Sequence, residues 1–131
     1  MAQVKGILVN DGGAPARIIN FKAGEAISAG EVLKPSTAAD MTCLLATNDE
    51  HPILGVALTD ASSGDQCSVV TGKGVICYCN VTAETAGIAL MIDTAAGTLD
   101  EWSDTAAENN RIVAMTLEVT TGTGLTKCMM L

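Results

Sequence analysis

The chain has 131 residues, a formal net charge of −8 and three aromatic residues, Phe21, Tyr78 and Trp102. Seven Lys and Arg against fifteen Asp and Glu argue against binding to a nucleic-acid backbone or to an anionic membrane. Hydrophobic residues make up 48% of the chain and charged residues 17%, a balance that argues against intrinsic disorder. This length suits one domain with a modest core of small aliphatic side chains.

The first residues, Met1 to Val9, lack the long apolar segment of a secretory signal. The longest uncharged run, residues 74–83, is too short to span a bilayer. We therefore expect synthesis in a reducing cytoplasm. The five cysteines are an odd number in apolar segments, which predicts buried thiols rather than a disulfide framework. These cysteines are Cys43, Cys67, Cys77, Cys79 and Cys128.

Short apolar or alternating runs recur along the chain between clusters of Gly, Asp, Ser and Thr. Such runs, separated by residues that favour turns, are typical of β-strands. Helix is limited to one or two turns near residues 104–108, with Asp104 as the N-cap. The predicted strands are Val4–Val9, Arg17–Phe21, Glu31–Leu33, Thr42–Leu45, Ile53–Leu58, Cys67–Thr71, Val75–Val81, Ile88–Ile92, Ile112–Val119 and Leu125–Met130.

These strands predict an all-β fold, a compact β-barrel or β-sandwich that is jelly-roll-like and has little helix. Residues 1–13 form either an N-terminal arm with a Gly hinge or a first strand, and residues 14–131 form a single β domain. A weak internal repeat favours two similar β-modules within that domain. Ala29–Leu33 resembles Ala86–Leu90, and Ile53–Leu58 resembles Ile112–Leu117.

Two motifs could carry chemistry, and a plainer role is expected for both. His51, the one histidine, precedes Pro52 and therefore favours extended backbone in a turn. The chain also lacks the Gly-x-Ser-x-Gly signature that a nucleophilic serine would need. Cys77 and Cys79 are two apart on a strand and share one face, which suits core thiols better than the paired spacing of a zinc site.

Two further patterns also favour structural roles. Thr71–Gly74 contains Gly-Lys but lacks the phosphate-loop spacing, so we predict a hairpin turn with an exposed Lys73. Adjacent carboxylates, at Asp49-Glu50 and Asp100-Glu101, point to opposite faces of an extended chain. We therefore expect no enzyme, and no catalytic, metal-binding or cofactor-binding residue.

The order of the segments between Ala23 and Thr98 carries a family resemblance. An apolar strand ending in Gly55-Val56-Ala57 is followed by a small-residue turn, the Val-rich strand Cys67–Val70, another glycine, and then Ala86–Leu90. This order resembles the capsid cement, or head-decoration, proteins of tailed bacteriophages. The five cysteines and the region around Trp102 depart from the pattern.

The resemblance implies a structural virion protein, synthesised in the host cytoplasm, that binds the outer surface of the assembled capsid. There it would stabilise contacts between major capsid proteins, as a homo-oligomer that is a trimer or, alternatively, a dimer. Neither nucleic acid nor membrane is an expected partner. The segment Val4–Val9 is either a strand added to a capsid-protein sheet or an ordinary first strand. The candidate capsid-binding residues are Val4, Lys5, Ile7, Val9, Arg17 and Lys22.

Two other classes of function stay open on the sequence. A β-rich receptor- or glycan-binding module predicts an exposed aromatic patch, which three aromatic residues can hardly supply. A small β-barrel enzyme predicts a pocket at His51 or at a cysteine.

Overall fold

The structure, a computed structural model, describes residues 17–47, 53–82, 86–93, 95–102, 112–119 and 124–131. Regular structure in these residues is all β, which confirms the predicted fold class. None of the described residues belongs to a helix with the length and apolarity needed to cross a membrane. The strands are β1 Arg17–Ala23, β2 Val32–Pro35, β3 Thr42–Leu45, β4 Gly55–Ala57, β5 Gln66–Thr71, β6 Ile76–Val81, β7 Ala89–Ile92, β8 Leu99–Glu101, β9 Ala114–Thr116 and β10 Gly124–Met130.

Nearly all strands arise where the apolar runs predict them. The segment Val4–Val9 and the helical turn near Asp104 lie outside the described residues. The other nine predicted segments each overlap an observed strand. The apolar pattern of the sequence did not predict β8, because a three-residue strand with one apolar residue, Leu99, shows no alternation.

The ten strands form two closed barrels of five strands each. The first has the order β1-β3-β2-β4-β5, and the second has the order β6-β8-β7-β9-β10. In both barrels the first and third strands in chain order pair in parallel, while every other pair is antiparallel. The two barrels therefore share one topology.

This common topology and its strand registers give strand residues of the first barrel counterparts in the second. The related segments at residues 29–33 and 86–90 lead into β2 and β7, which hold the same place in their barrels. Hydrogen bonds repeat as well: Ala57 donates its N–H to the Glu31 carbonyl at 2.9 Å, as Thr116 does to Ile88 at 3.0 Å.

Alternation along the strands separates the interior of the first barrel from its outer face. The interior contains Leu33, Cys43, Ala57, Cys67 and Val69, all buried in one cluster. The residues adjacent to these on β2, β4 and β5 point outwards. Together with Ala46, they belong to a buried cluster that includes residues of the second barrel. These outward-facing residues are Val32, Val56 and Val70.

The second barrel fills its interior with Cys77, Cys79, Leu90, Leu99 and Cys128. These residues belong to the same buried cluster as the outer face of the first barrel. One continuous apolar core therefore joins the two barrels. Burial of that shared face removes apolar surface from water and contributes roughly 25 cal/mol per Å².

Candidate docking surface

The first half of β1 forms an open sheet edge among the described residues. β1 pairs with β5 from Arg17 to Lys22, but with β3 only at Lys22 and Ala23. Because β3 begins at Thr42, which lies opposite Lys22, the part of β1 before Lys22 extends beyond its β3 neighbour. Such an edge is a template for pairing with another strand.

Hydrogen bonds show which main-chain groups this edge presents. Lys22 donates its N–H to the Met41 carbonyl at 2.8 Å, on the β3 side, whereas Ala23 donates to Asp65 at 2.8 Å, on the β5 side. Main-chain groups alternate along a strand, so the N–H and C=O of Ile18 and Asn20 point away from β5. Two residues therefore present four main-chain groups along the open edge.

Apolar side chains flank this edge on both faces of the strand. Ile18 is 55% exposed and Ile19 is 40% exposed, although neighbouring strand residues face opposite sides. Ile18 lies opposite Val70 and Ile19 opposite Val69. The adjacent isoleucines interrupt the alternation of polar and apolar residues. This interruption is visible in the sequence, although Ile18 and Ile19 are not among the candidate capsid-binding residues.

The candidate capsid-binding residues are divided by the structure. Val4, Lys5, Ile7 and Val9 lie outside the described residues. Arg17 and Lys22 are both exposed on β1. Their separation of five positions spans about 17 Å at a strand rise of about 3.3 Å per residue and places them on opposite faces. They therefore do not form one basic patch.

Three carboxylates near β2 accept hydrogen bonds from backbone N–H groups. Ser28 donates its N–H to Glu31 Oε1 at 2.7 Å, Ala29 donates to Asp60 Oδ1 at 2.7 Å, and Leu45 donates to Glu25 Oε2 at 2.9 Å. Burial raises the pKa of Glu31, and the charges of Glu25 and Asp60 raise it further, while the Ser28 hydrogen bond lowers it. These side chains satisfy backbone donors, which gives them a structural role.

The five cysteines are free and buried, as the sequence predicts. Cys77 and Cys79 share the interior face of β6 with their Sγ atoms 3.8 Å apart, and Cys128 lies opposite Cys77. Hydrogen bonding with Cys128 and Cys77, together with burial, raises the pKa of Cys79. Burial and the neighbouring Cys67 thiol raise the pKa of Cys43 to about 11. The Cys43 and Cys79 thiols are therefore protonated near neutral pH.

The remaining candidate sites offer no assembled chemistry in the described part of the chain. No group of three or more His, Cys, Asp or Glu side chains there is arranged to hold a metal ion. His51 lies outside the described residues. The predicted hairpin at Thr71–Gly74 is wrong in its pairing, because this turn joins β5 of one barrel to β6 of the other. Lys73 is exposed there, as predicted.

A groove of about 320 Å³ opens between the barrels beside this turn. Its lining is mixed, with polar groups beside the apolar side chains of Ile53, Leu54, Ile112 and Leu131. Lys73 is the charged side chain among the described lining residues. This arrangement supplies neither an acid–base pair nor an activated nucleophile.

Comparisons with known proteins show what this fold resembles. No family model matches the chain, and no curated protein matches it. Among solved structures, the chain is similar to the crystal structure of the head fiber gp8.5 N base in bacteriophage phi29, with a TM-score of 0.69 and 17% sequence identity. The similarity covers 88% of this chain and 94% of that chain. The chain therefore has the fold of a phage head fiber base.

Proposed function

We propose that this protein is a structural virion protein of a bacteriophage, a capsid cement or decoration protein that binds the outer surface of the assembled capsid. There it stabilises contacts between major capsid proteins. The observation that carries this proposal is the fold similarity to the phi29 head fiber base, which extends over 88% of this chain and 94% of that one. The order of segments from Ala23 to Thr98 supports the same class of protein.

The open edge of β1 is the attachment surface in this proposal. An extended segment of the major capsid protein pairs with the main-chain groups of Ile18 and Asn20. Each hydrogen bond contributes only about 0.5–1.5 kcal/mol net. Burial of the side chains of Ile18 and Ile19 on the two faces of the strand adds to the free energy of binding.

Weak contacts are sufficient because a capsid repeats its binding site many times. A homo-oligomer that engages several sites at once gains avidity without any new type of contact. Arg17 stands at the start of the open edge, where it favours an acidic partner surface. The net charge of −8 suits a location outside a container filled with polyanionic DNA.

In this proposal the protein binds and does not catalyse. Its buried thiols, three of them with Sγ atoms enclosed in the second barrel, serve as small apolar side chains. No cofactor enters the mechanism. Its partners are the major capsid protein and further copies of the same chain.

Binding of the purified full chain to undecorated phage capsids tests the attachment surface. Ile18→Pro removes an N–H that points to the open edge and leaves the β1–β5 hydrogen bonds intact, since proline is tolerated at strand edges. We expect Ile18→Pro to bind capsids at least about tenfold more weakly, the effect of losing roughly 1.4 kcal/mol.

Ile18→Ala is the matched control, because it shortens the same side chain but keeps the N–H. We expect it to bind more tightly than Ile18→Pro. Capsid binding by Ile18→Pro equal to that of the unmodified chain would exclude the β1 edge. Binding to glycans without binding to capsids would favour a glycan-binding module instead.

A further inference from the structure

The two barrels meet where a turn of the second enters a cleft in the first. Gly97, in the β7–β8 turn, donates its N–H to the Ala46 carbonyl at 2.7 Å and accepts the Val32 N–H at 3.0 Å. A Cβ on Gly97 would lie 3.0 Å from Glu31 Cβ and 3.1 Å from Leu45 Cδ2. We name the main-chain opening between Val32 and Ala46 the first cleft.

The second barrel contains the same opening at the corresponding position. Trp102 donates its N–H to the Ala89 carbonyl at 2.7 Å, as Ala46 does to Val32 at 3.0 Å. We name the opening between Ala89 and Trp102 the second cleft. Within the described parts of the chain, no hydrogen bond reaches the Ala89 N–H or the Trp102 carbonyl. The two groups that Gly97 satisfies in the first cleft therefore have no partner among the described residues in the second.

Apolar side chains among the described residues around the second cleft are also partly exposed. Met115 and Met129 correspond to Val56 and Val70, yet they are only partly buried, and Trp102 is 36% exposed. A pair of corresponding glycines shows the same difference, because Gly30 is packed against a neighbour and Gly87 is not. A Cβ on Gly30 would lie 2.2 Å from Leu125 Cδ2 of the second barrel, whereas a Cβ on Gly87 would meet nothing within 4 Å.

The first barrel carries a turn that corresponds to the Gly97 turn. Residues 38–41 and 95–97 lie in the β2–β3 and β7–β8 connections, and in the sequence each group follows a threonine and begins Ala-Ala. Met41 and Gly97 each have positive φ, +48° and +77°. Met41 is the one described non-glycine residue with positive φ, and its side chain is 61% exposed. This turn therefore projects apolar surface into solvent.

We propose that the protein self-associates head to tail, with the Met41 turn of one copy docking at the second cleft of the next copy. The Met41 carbonyl already accepts the Lys22 N–H, so the contact uses the Met41 side chain against the Trp102 indole. Contacts between methionine sulfur and aromatic rings are favourable. The contact between copies thus takes the same position as the contact between barrels, but it joins side chains where Gly97 joins main-chain groups.

Charge complementarity supports the second copy as the occupant. Glu101 corresponds to Leu45, which packs beside Gly97 in the first cleft. Lys22 is the residue whose N–H holds the Met41 turn. Docking therefore brings an exposed lysine of one copy towards an exposed glutamate of the next, and opposite charges of this kind fix orientation.

Head-to-tail contacts join two different surfaces of each copy, so they close into a ring or continue as a filament. A two-fold symmetric dimer would need the same surface on both copies. This inference rests on the homo-oligomer of the proposed function and names the contact that forms it, in solution and without any capsid.

Sedimentation velocity of the full chain over a range of concentrations tests the contact. We expect Lys22→Glu and Glu101→Lys each to weaken association about tenfold or more, because each places like charges together. The chain carrying both substitutions restores an opposite pair and should recover most of the loss. A mixture of the two single variants should also associate, since both mixed contacts are complementary.

Two substitutions away from the contact serve as controls. Lys73→Glu makes the same charge change as Lys22→Glu at the turn between the barrels, and Val119→Asp alters an exposed apolar residue of the second barrel. Both should associate like the unmodified chain, while Met41→Asp should not associate. A monomer at every concentration, a two-fold dimer, or association unaffected by Met41→Asp would overturn the inference. Capsid binding through the β1 edge is measured separately, so failure of this contact and failure of the attachment surface are distinguishable.

Discussion

The substitution Gly30→Ala tests the junction between the two barrels. Gly30 has φ +96°, and an added Cβ would lie 2.2 Å from Leu125 Cδ2. The left-handed backbone costs an L-residue about 1–2 kcal/mol. Crowding of a packed contact costs about 1–3 kcal/mol more. Leu125 is 47% exposed and can move, so we expect the lower part of that range.

Gly87→Ala is the matched control for this substitution. Gly87 is the counterpart of Gly30, has φ +77°, and has open space where a Cβ would be. It should therefore show the backbone cost of about 1–2 kcal/mol alone. The difference between the two variants isolates the crowding at the junction, about 1 kcal/mol or more.

Equilibrium unfolding in urea measures both free energies, at protein concentrations below those of self-association. Leu125→Ala supplies a double-mutant cycle: it removes the crowded side chain, so Gly30→Ala should cost less in that background. Equal losses of stability for Gly30→Ala and Gly87→Ala, together with no coupling to Leu125, would refute the described junction.

Two further substitutions test individual hydrogen bonds by the free energy of unfolding. Glu31→Gln keeps an acceptor for its backbone donor and removes a charge whose pKa is raised by burial. A raised folded-state pKa stabilises the protein below the ordinary value of 4.5, and this stabilisation is lost as pH rises, so Glu31→Gln should be the more stable form at pH 7 and lose that advantage in acid. Thr116→Val removes the Oγ1 that accepts the Ile88 N–H at 2.9 Å, and it should cost about 1–3 kcal/mol. An unchanged free energy at pH 7 would contradict the burial of the Glu31 charge in the first case and the hydrogen bond from Ile88 to Thr116 in the second.

The strands could be predicted from the sequence, because short apolar runs between turn residues are a local signal. Thr42–Leu45 has the predicted bounds, and β5 and β6 differ from the prediction by one residue at their start. The strand order of the two barrels could not be predicted from local patterns, because it depends on pairings between distant residues. The parallel pair β1–β3 joins residues about twenty positions apart, and no local pattern encodes it.

The docking surface could be predicted only in part. The basic residues Arg17 and Lys22 are visible in the sequence, but the open edge between them exists because β3 begins opposite Lys22. Val32 and Leu33 illustrate the same limit, since both are apolar neighbours on β2. Leu33 fills the first barrel and Val32 packs against the second, a difference that arises only from the contact between barrels.

The most direct measurement of the central claim is the amount of this protein in purified phage particles. Quantitative mass spectrometry of intact particles should find it at a copy number comparable to that of the major capsid protein. Particles from which it has been removed should open at lower temperature and regain their stability when the purified chain is added back. Particles that lack the protein, or that are equally stable without it, would contradict a role in capsid reinforcement.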